Sequence, residues 1–162
     1  MRNENSQAGI QRHLLATFIS RIRKETATIP TSTRPLRSKD MSSEELARVG
    51  VEKLIHVTTR GRKTGQPHIV ELWFALNSDK VYLSHEGKET DWMKNVKRND
   101  QVSFEISGKN FNGTARLLES NTEEAWEAKV ALYEKYYGKA SKEVIEDWFS
   151  LSKLLLIQPH RQ

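Results

Sequence analysis

The segment from Thr58 to Phe74 constrains the fold more than any other part of this 162-residue chain. It reads Thr-Thr-Arg-Gly-Arg-Lys-Thr-Gly-Gln-Pro-His-Ile-Val-Glu-Leu-Trp-Phe. Two glycines, Gly61 and Gly65, enclose a short polar stretch, and a nearly continuous apolar run follows at once. Glycine and polar residues between strand-forming runs are typical of turns. The segment therefore predicts a short turn where two strands of a sheet meet.

The same turn concentrates positive charge. Arg60, Arg62 and Lys63 lie within four residues, and the Thr64 hydroxyl follows them. A short turn with free backbone N–H groups, flanked by guanidinium and ammonium groups, suits a phosphate. The alternative is an exposed hairpin turn whose cations only keep a sheet edge soluble.

Length, cysteine content and the distribution of charge narrow the possibilities further. The chain is long enough for one domain with its own core. It has no cysteine, which excludes disulfides, thiolate catalysis and Cys-ligated metals. No apolar run approaches the ~20 residues needed to cross a bilayer, so a cytoplasmic protein without a transmembrane segment is expected.

Residues 1–40 hold eight Lys/Arg and three Asp/Glu and account for the whole net charge of +5. A basic surface over the body, as expected for duplex binding, is therefore absent, and no nucleic-acid partner is expected.

Residues 1–40 form a basic arm, separate from a body at residues 41–162. Apolar residues recur there at helical spacing, at Ile10, Leu14, Leu15, Phe18, Ile19 and Ile22, before a Thr/Ser/Pro-rich linker. Three interpretations stay open: a docking helix or partner contact, a targeting segment, or an extension upstream of a natural start at Met41.

The body is predicted to be mainly β with flanking helices. Its first helix starts at a capping box with Ser42 as N-cap and ends near Gly50. Gly108-Lys109 is expected to form a two-residue hairpin turn. The predicted strands are Lys53–Thr59, His68–Leu76, Lys80–His85, Gln101–Ile106, Asn110–Leu118 and Leu154–Gln158, and the further helices are Asp91–Arg98, Thr122–Tyr137 and Ser141–Phe149.

Two kinds of strand can be distinguished by their apolar pattern. Residues 101–106 and 110–118 alternate apolar and polar side chains, as in the wall of a barrel. The strand His68–Leu76 is apolar at nearly every position except Glu71, so both of its faces are expected to be covered. A subunit interface could supply the second cover, with Trp73 and Phe74 as core or dimer contacts.

A second segment, residues 84–96, has small residues at a strand end and then a helix presenting Trp92 and Asn95. By itself it is compatible with an ordinary capped helix and a core tryptophan. Together with the Gly-Arg-Lys-Thr-Gly turn, however, the order of elements over about residues 50–120 resembles the flavin-binding split β-barrel superfamily. The resemblance is strongest to its deazaflavin-dependent nitroreductase/quinone reductase branch.

The resemblance implies a split β-barrel of about six strands, a homodimer, and a bound phosphorylated cofactor, either the deazaflavin F420 or FMN. It implies that the turn holds the cofactor's phosphate, that the start of the next strand lines the ring, and that the second segment borders the ring's edge. The implied cofactor-binding residues are Arg60, Arg62, Lys63, Thr64, Gly65, Pro67, His68, Val70, Ser84, His85, Gly87, Trp92 and Asn95. The family often has Arg where His68 stands and Pro where Glu71 stands, which weakens the preference for F420.

The implied activity is hydride transfer to a small acceptor such as a quinone or nitro compound. This fits a sequence without an obvious nucleophile, carboxylate pair or metal-binding pattern, because the cofactor brings its own chemistry. His85 is the candidate proton donor, whereas His56 and His160 are interpreted as surface or structural residues. Tyr133, Tyr136 and Tyr137 are either packing residues or a substrate lid. The alternative functions are a carrier or sensor that binds the cofactor without turnover, and a nucleic-acid-associated protein acting through the arm.

Overall fold

The computed structural model describes residues 43–160. The predictions for the basic arm, the N-cap at Ser42 and the start at Met41 lie outside these residues. The elements in chain order are α1 (Ser43–Val49), β1 (Leu54–Arg60), β2 (Pro67–Asn77), β3 (Lys80–Glu86), α2 (Asp91–Arg98), β4 (Gln101–Ile106), β5 (Lys109–Leu117), α3 (Glu123–Tyr137), α4 (Lys142–Trp148) and β6 (Ser152–Pro159). Each element predicted within residues 43–160 is present.

The six strands close into an antiparallel barrel in the order β1-β2-β3-β6-β5-β4. The predicted fold class, a mainly β split barrel with flanking helices, is confirmed. Alternation along the strands places one set of side chains inside, and this set includes Ile55, Phe74, Phe104 and Leu155. α2 covers one end of the barrel, where Trp92, Met93 and Val96 join the same core.

A second core lies outside the barrel wall. The helix α3 packs there against the outer faces of β2, β3 and β6, and α4 packs against α3. Tyr82 and Leu156 on the strands share this core with Ala125, Leu132 and Ile145 on the helices. The N-caps Thr122 and Ser141 each accept a hydrogen bond from a backbone N–H in the first turn of α3 and α4, which fixes where these helices begin.

One local prediction needs correction. The turn between β4 and β5 is Ser107-Gly108 rather than Gly108-Lys109, because Ile106 pairs with Lys109. Both turn residues have positive φ, as the right-handed twist of a two-residue hairpin requires, so the glycine serves at the second position. Within residues 43–160, the outer face of β2 is covered only in part, which leaves open the predicted second cover by a subunit interface. Helix α3 covers the outer face near Trp73 and Ala75, but Ile69 is 52% exposed.

The wall of the barrel opens between β2 and β3. Their pairing runs from Asn77↔Lys80 to Phe74↔Leu83 and then stops. β3 stays paired with β6 as far as Glu86↔Ser152, while β2 stays paired with β1 back to Pro67. We call this opening, bordered by residues 67–73 of β2 and residues 84–90, the split. Among the helices formed by residues 43–160, none has the length and apolar character to cross a membrane.

Candidate functional site

The turn between β1 and β2, residues 61–66, lies at the end of the barrel that α2 covers. It is closed by hydrogen bonds from the Gly61 N–H to the Gln66 carbonyl (2.8 Å) and from the Gly65 N–H to the Gly61 carbonyl (2.7 Å). The Thr64 hydroxyl accepts from the Gln66 N–H at 3.2 Å. Gly65 has φ +70°, which a side chain would strain. The predicted glycine-bounded turn is therefore present.

Some donors of this turn have no partner within residues 43–160. The backbone N–H groups of Lys63 and Thr64 make no hydrogen bond there, and both residues are exposed. The side chains of Arg60 and Lys63 likewise form no hydrogen bond or ion pair among the described residues. Two adjacent free N–H groups beside two free cations are the chemistry that binds a phosphate or another compact anion.

Arg62 is differently placed from the other two cations. Its guanidinium donates to the Asp91 carboxylate (2.9 Å) and to the Asn95 side-chain oxygen (3.2 Å), and its backbone N–H donates to that same oxygen (3.0 Å). The hydrogen bond from Arg62 lowers the pKa of Asp91. Arg62 thus ties the turn to the start of α2, and Arg60 and Lys63 remain the cations available to a ligand.

Trp92 and Asn95 lie behind the turn, each 3% exposed. Trp92 packs in the barrel core, and Asn95 donates from its side chain to the Thr59 hydroxyl at 3.2 Å. The sequence placed both residues at the site as a supporting wall. Their burial is consistent with that supporting role and leaves little surface for direct contact with a ligand.

The predicted ring-lining residues border the split. On β2, Pro67 is exposed, His68 is half-buried and Val70 is buried, while Ser84 and His85 on the β3 side are half-buried and Gly87 is exposed. His68 and His85 have the same strand parity as the inward-facing Val70 and Leu83, so both point toward the barrel end. The structure therefore brings the two predicted segments to opposite sides of one opening.

Three buried polar atoms around the split have no hydrogen-bond partner among residues 43–160: His68 Nδ1, His85 Nδ1 and Thr90 Oγ1. Buried polar atoms are nearly always paired in folded proteins, so three along one opening indicate a place for a polar ligand. Burial lowers the pKa of His85, partly offset by Glu86, which favours the neutral imidazole. Sequence reasoning missed Thr90. Its position before a helix resembles an ordinary N-cap, yet its side chain makes no capping bond.

The three tyrosines lie on α3, outside the barrel wall and away from the turn. The Tyr136 hydroxyl is bonded to Phe74 and Lys53, at the far end of β2 from the turn. Seven residues of strand separate Phe74 from Pro67, roughly 23 Å at the usual rise. Tyr136 stacks on Trp73 with ring centres 4.3 Å apart, and Tyr133 and Tyr137 pack against each other and against Trp148. These contacts favour packing over a lid, at least for Tyr136.

The remaining histidines within residues 43–160, His56 and His160, have structural partners. His56 pairs across the strands with Glu71 at 3.0 Å, and His160 bonds the Thr114 hydroxyl at 3.0 Å. A surface groove of about 630 Å³ lies between Gly50, the end of β2 and α3, at the opposite end of β2 from the turn. The groove holds none of the predicted site residues. We therefore place the candidate site at the turn and the split, where polar groups are unpaired among residues 43–160, and not in this groove.

Similar folds occur among solved structures. A conserved hypothetical protein from Mycobacterium tuberculosis is 23% identical, with 80% of this chain and 87% of that chain covered and a TM-score of 0.60. The heme storage protein HutZ from Vibrio cholerae is 18% identical, with 75% and 93% covered and a TM-score of 0.55. An FAD-binding protein from Mesorhizobium loti is 15% identical, with 76% and 91% covered and a TM-score of 0.53. At these identities the likeness establishes the fold.

A family model extends over most of the chain. The model described as F420H(2)-dependent quinone reductase matches residues 34–145, which include the turn, both sides of the split and α2. The match agrees with the resemblance carried by the Gly-Arg-Lys-Thr-Gly turn and the Asp-Trp-Met-Lys-Asn-Val helix. The chain therefore belongs to the F420H2-dependent quinone reductase family, a family of F420-dependent oxidoreductases.

Proposed function

We propose that this chain binds F420 with its phosphate at the turn and its ring along the split, and that it reduces a small acceptor such as a quinone. The observation that carries the proposal is the pair of adjacent backbone N–H groups at Lys63 and Thr64, unpaired within residues 43–160. They lie beside the uncommitted cations of Arg60 and Lys63. A phosphate satisfies all of these donors at once.

The split also suits the ring. A deazaflavin or flavin ring carries carbonyl and nitrogen atoms along one edge, and these complement the unpaired atoms of His68, His85 and Thr90. When bound, reduced F420 supplies the hydride. The residues of this chain orient the ring, exclude water and handle the proton. We assign the ring-facing positions to Pro67, His68, Ser84, His85, Gly87 and Thr90, with Val70 and Trp92 packed behind them.

His85 is the proposed proton donor. Reduction of a quinone adds a hydride and takes up a proton, and an imidazolium formed at the edge of the split can donate its N–H proton to the acceptor, return to the neutral imidazole and be reprotonated from water. Burial keeps the pKa of His85 below its usual value, so its protonated form is a stronger acid than an ordinary imidazolium. Tyr133 and Tyr137 remain proposed contacts of the acceptor, since neither hydroxyl is bonded within the described residues.

The family match favours F420 over FMN, and a quinone over a nitro compound, as the natural partners. We also propose a homodimer, because the outer face of β2 near the turn leaves Ile69 52% exposed. A second subunit would cover this face and border the split. Size measurement in solution checks this assembly, and a monomer at micromolar concentration would contradict it.

The phosphate site is tested by titrating F420 into wild-type protein and into Lys63→Ala. Loss of one charged hydrogen bond is expected to cost about 1.5–3 kcal/mol, roughly a tenfold to hundredfold weaker Kd. Lys109→Ala is the matched control, because Lys109 is exposed at the opposite end of the barrel. An unchanged Kd in Lys63→Ala would rule out this site.

Turnover is tested separately by mixing protein-bound reduced F420 with menadione. We expect the cofactor to be reoxidised faster than in the protein-free reaction. Reoxidation at only the protein-free rate would favour the alternative function, a carrier or sensor that binds the cofactor without using it.

A further inference from the structure

We infer that Asn95 is a positioning residue for the phosphate, acting through Arg62 without touching the ligand. This inference rests on the proposed function. Asn95 is 3% exposed, so its side chain has almost no surface for a ligand. Its influence on binding must therefore pass through the groups that it holds.

Asn95 is engaged on both sides of its amide. The side-chain oxygen accepts from the Arg62 backbone N–H at 3.0 Å and from the Arg62 guanidinium at 3.2 Å. The side-chain nitrogen donates to the Thr59 hydroxyl at 3.2 Å, and that hydroxyl lies 3.4 Å from the His68 carbonyl. One amide thus links the turn, α2, β1 and the start of β2.

Packing alone does not require this arrangement. Thr59 and Asn95 are the two non-aromatic polar residues classed as buried among those that the structure describes, and they are bonded to each other. Apolar residues of similar volume would fill this end of the barrel without needing hydrogen bonds. A buried polar pair instead holds the segments around it in one arrangement. The backbone N–H of Arg62, which donates to Asn95, is the group through which this pair reaches the turn.

Asn95 thereby holds the turn in the shape that the proposed phosphate site requires. By accepting the Arg62 N–H, Asn95 pins the residue immediately before the free N–H groups of Lys63 and Thr64. By binding the guanidinium together with Asp91, it keeps the Arg62 side chain turned toward α2. Both effects arrange the donors before a ligand arrives, which lowers the ordering cost of binding.

The test compares two ligands that differ at the phosphate: F420 and its phosphate-free deazaflavin riboside. We expect Asn95→Leu to weaken F420 binding about tenfold, the equivalent of one to two ordinary hydrogen bonds. Binding of the riboside should change less than about twofold, because the ring contacts are kept. Asn99→Leu is the matched control. Asn99 lies at the other end of α2 and accepts one hydrogen bond, from the Gln101 N–H.

A second readout does not depend on any ligand. Amide hydrogen exchange at Arg62 should be faster in Asn95→Leu and in the smaller variant Asn95→Ser than in wild-type protein. The inference is overturned if both ligands weaken equally, or if Arg62 exchange is unchanged in a folded variant. Wild-type protein that binds F420 no more tightly than the riboside would overturn the phosphate site itself, and with it the proposed function.

Discussion

Replacing Tyr136 by phenylalanine should destabilise the fold without impairing catalysis. The paired ladder of β1 and β2 ends at Leu54↔Trp73. Beyond this point the Tyr136 hydroxyl takes the place of a strand partner. It accepts from the Phe74 N–H at 3.1 Å and lies 2.8 Å from the carbonyls of Lys53 and Phe74, to either of which it can donate.

The expected loss of stability follows from the backbone groups that Tyr136→Phe leaves without a hydrogen-bond partner. The Phe74 carbonyl keeps a donor, the Lys135 ammonium at 2.8 Å, but the Phe74 N–H loses its only acceptor within the described residues. An unsatisfied buried donor costs about 1–3 kcal/mol. Phenylalanine retains the stacking on Trp73, so the free energy of unfolding should fall by about 2 kcal/mol.

Urea denaturation of wild-type protein, Tyr136→Phe and Tyr133→Phe measures this difference. Tyr133 lies on the same helix and its hydroxyl makes no hydrogen bond within residues 43–160, so its variant should stay within about 0.5 kcal/mol of wild type. Acceptor reduction by Tyr136→Phe should be near wild type. Equal stability of the two variants would refute this account, and a large rise in KM for Tyr136→Phe would restore the lid interpretation.

Three further outcomes are expected. Gly113→Ala should lower stability by about 1–3 kcal/mol in urea denaturation, because a Cβ would lie 2.6 Å from Ile157 and 2.8 Å from the carbonyl of Gln158; an unchanged midpoint would contradict this. Burial lowers the pKa of Lys135 to about 8, so the unfolded chain binds more protons between about pH 8 and 10.5 and stability should rise with pH there. Lys135→Met should abolish that rise, and a parallel profile for the two proteins would count against it. His85→Gln should slow acceptor reduction about 100-fold, a larger effect than the loss of one ordinary hydrogen bond to the ring would have on the cofactor Kd; an unaltered rate would remove His85 from the proton-donor role.

Much of the barrel was predictable because its signals are local. Alternating apolar residues marked β4 and β5, and the glycine-bounded turn marked the β1–β2 hairpin. The observed ends of the elements differ from the predicted ones by at most two residues. The turn at Ser107-Gly108 was misplaced by one residue. Several two-residue turns accommodate the same glycine, and only the pairing of Ile106 with Lys109 decides between them.

The candidate site was predictable only in its components. The sequence identified Arg60, Arg62 and Lys63 as a group of cations, but it could not show that Arg62 is bonded to Asp91 and Asn95. Those partners lie 29 and 33 residues away. Likewise, the sequence could not show that no acceptor or donor in the described part of the chain reaches the Thr90 hydroxyl.

By itself, the sequence determined the strands, the glycine turn with its charges, and membership of a family that carries those motifs. Periodicity and turn chemistry act over a few residues, so they can be read along the chain. Tertiary structure alone decided where the barrel wall opens, which cations remain unpaired, and which buried polar atoms are left without partners. Each of these depends on the meeting of segments far apart in the chain, because a hydrogen bond is made or left unmade by position in space.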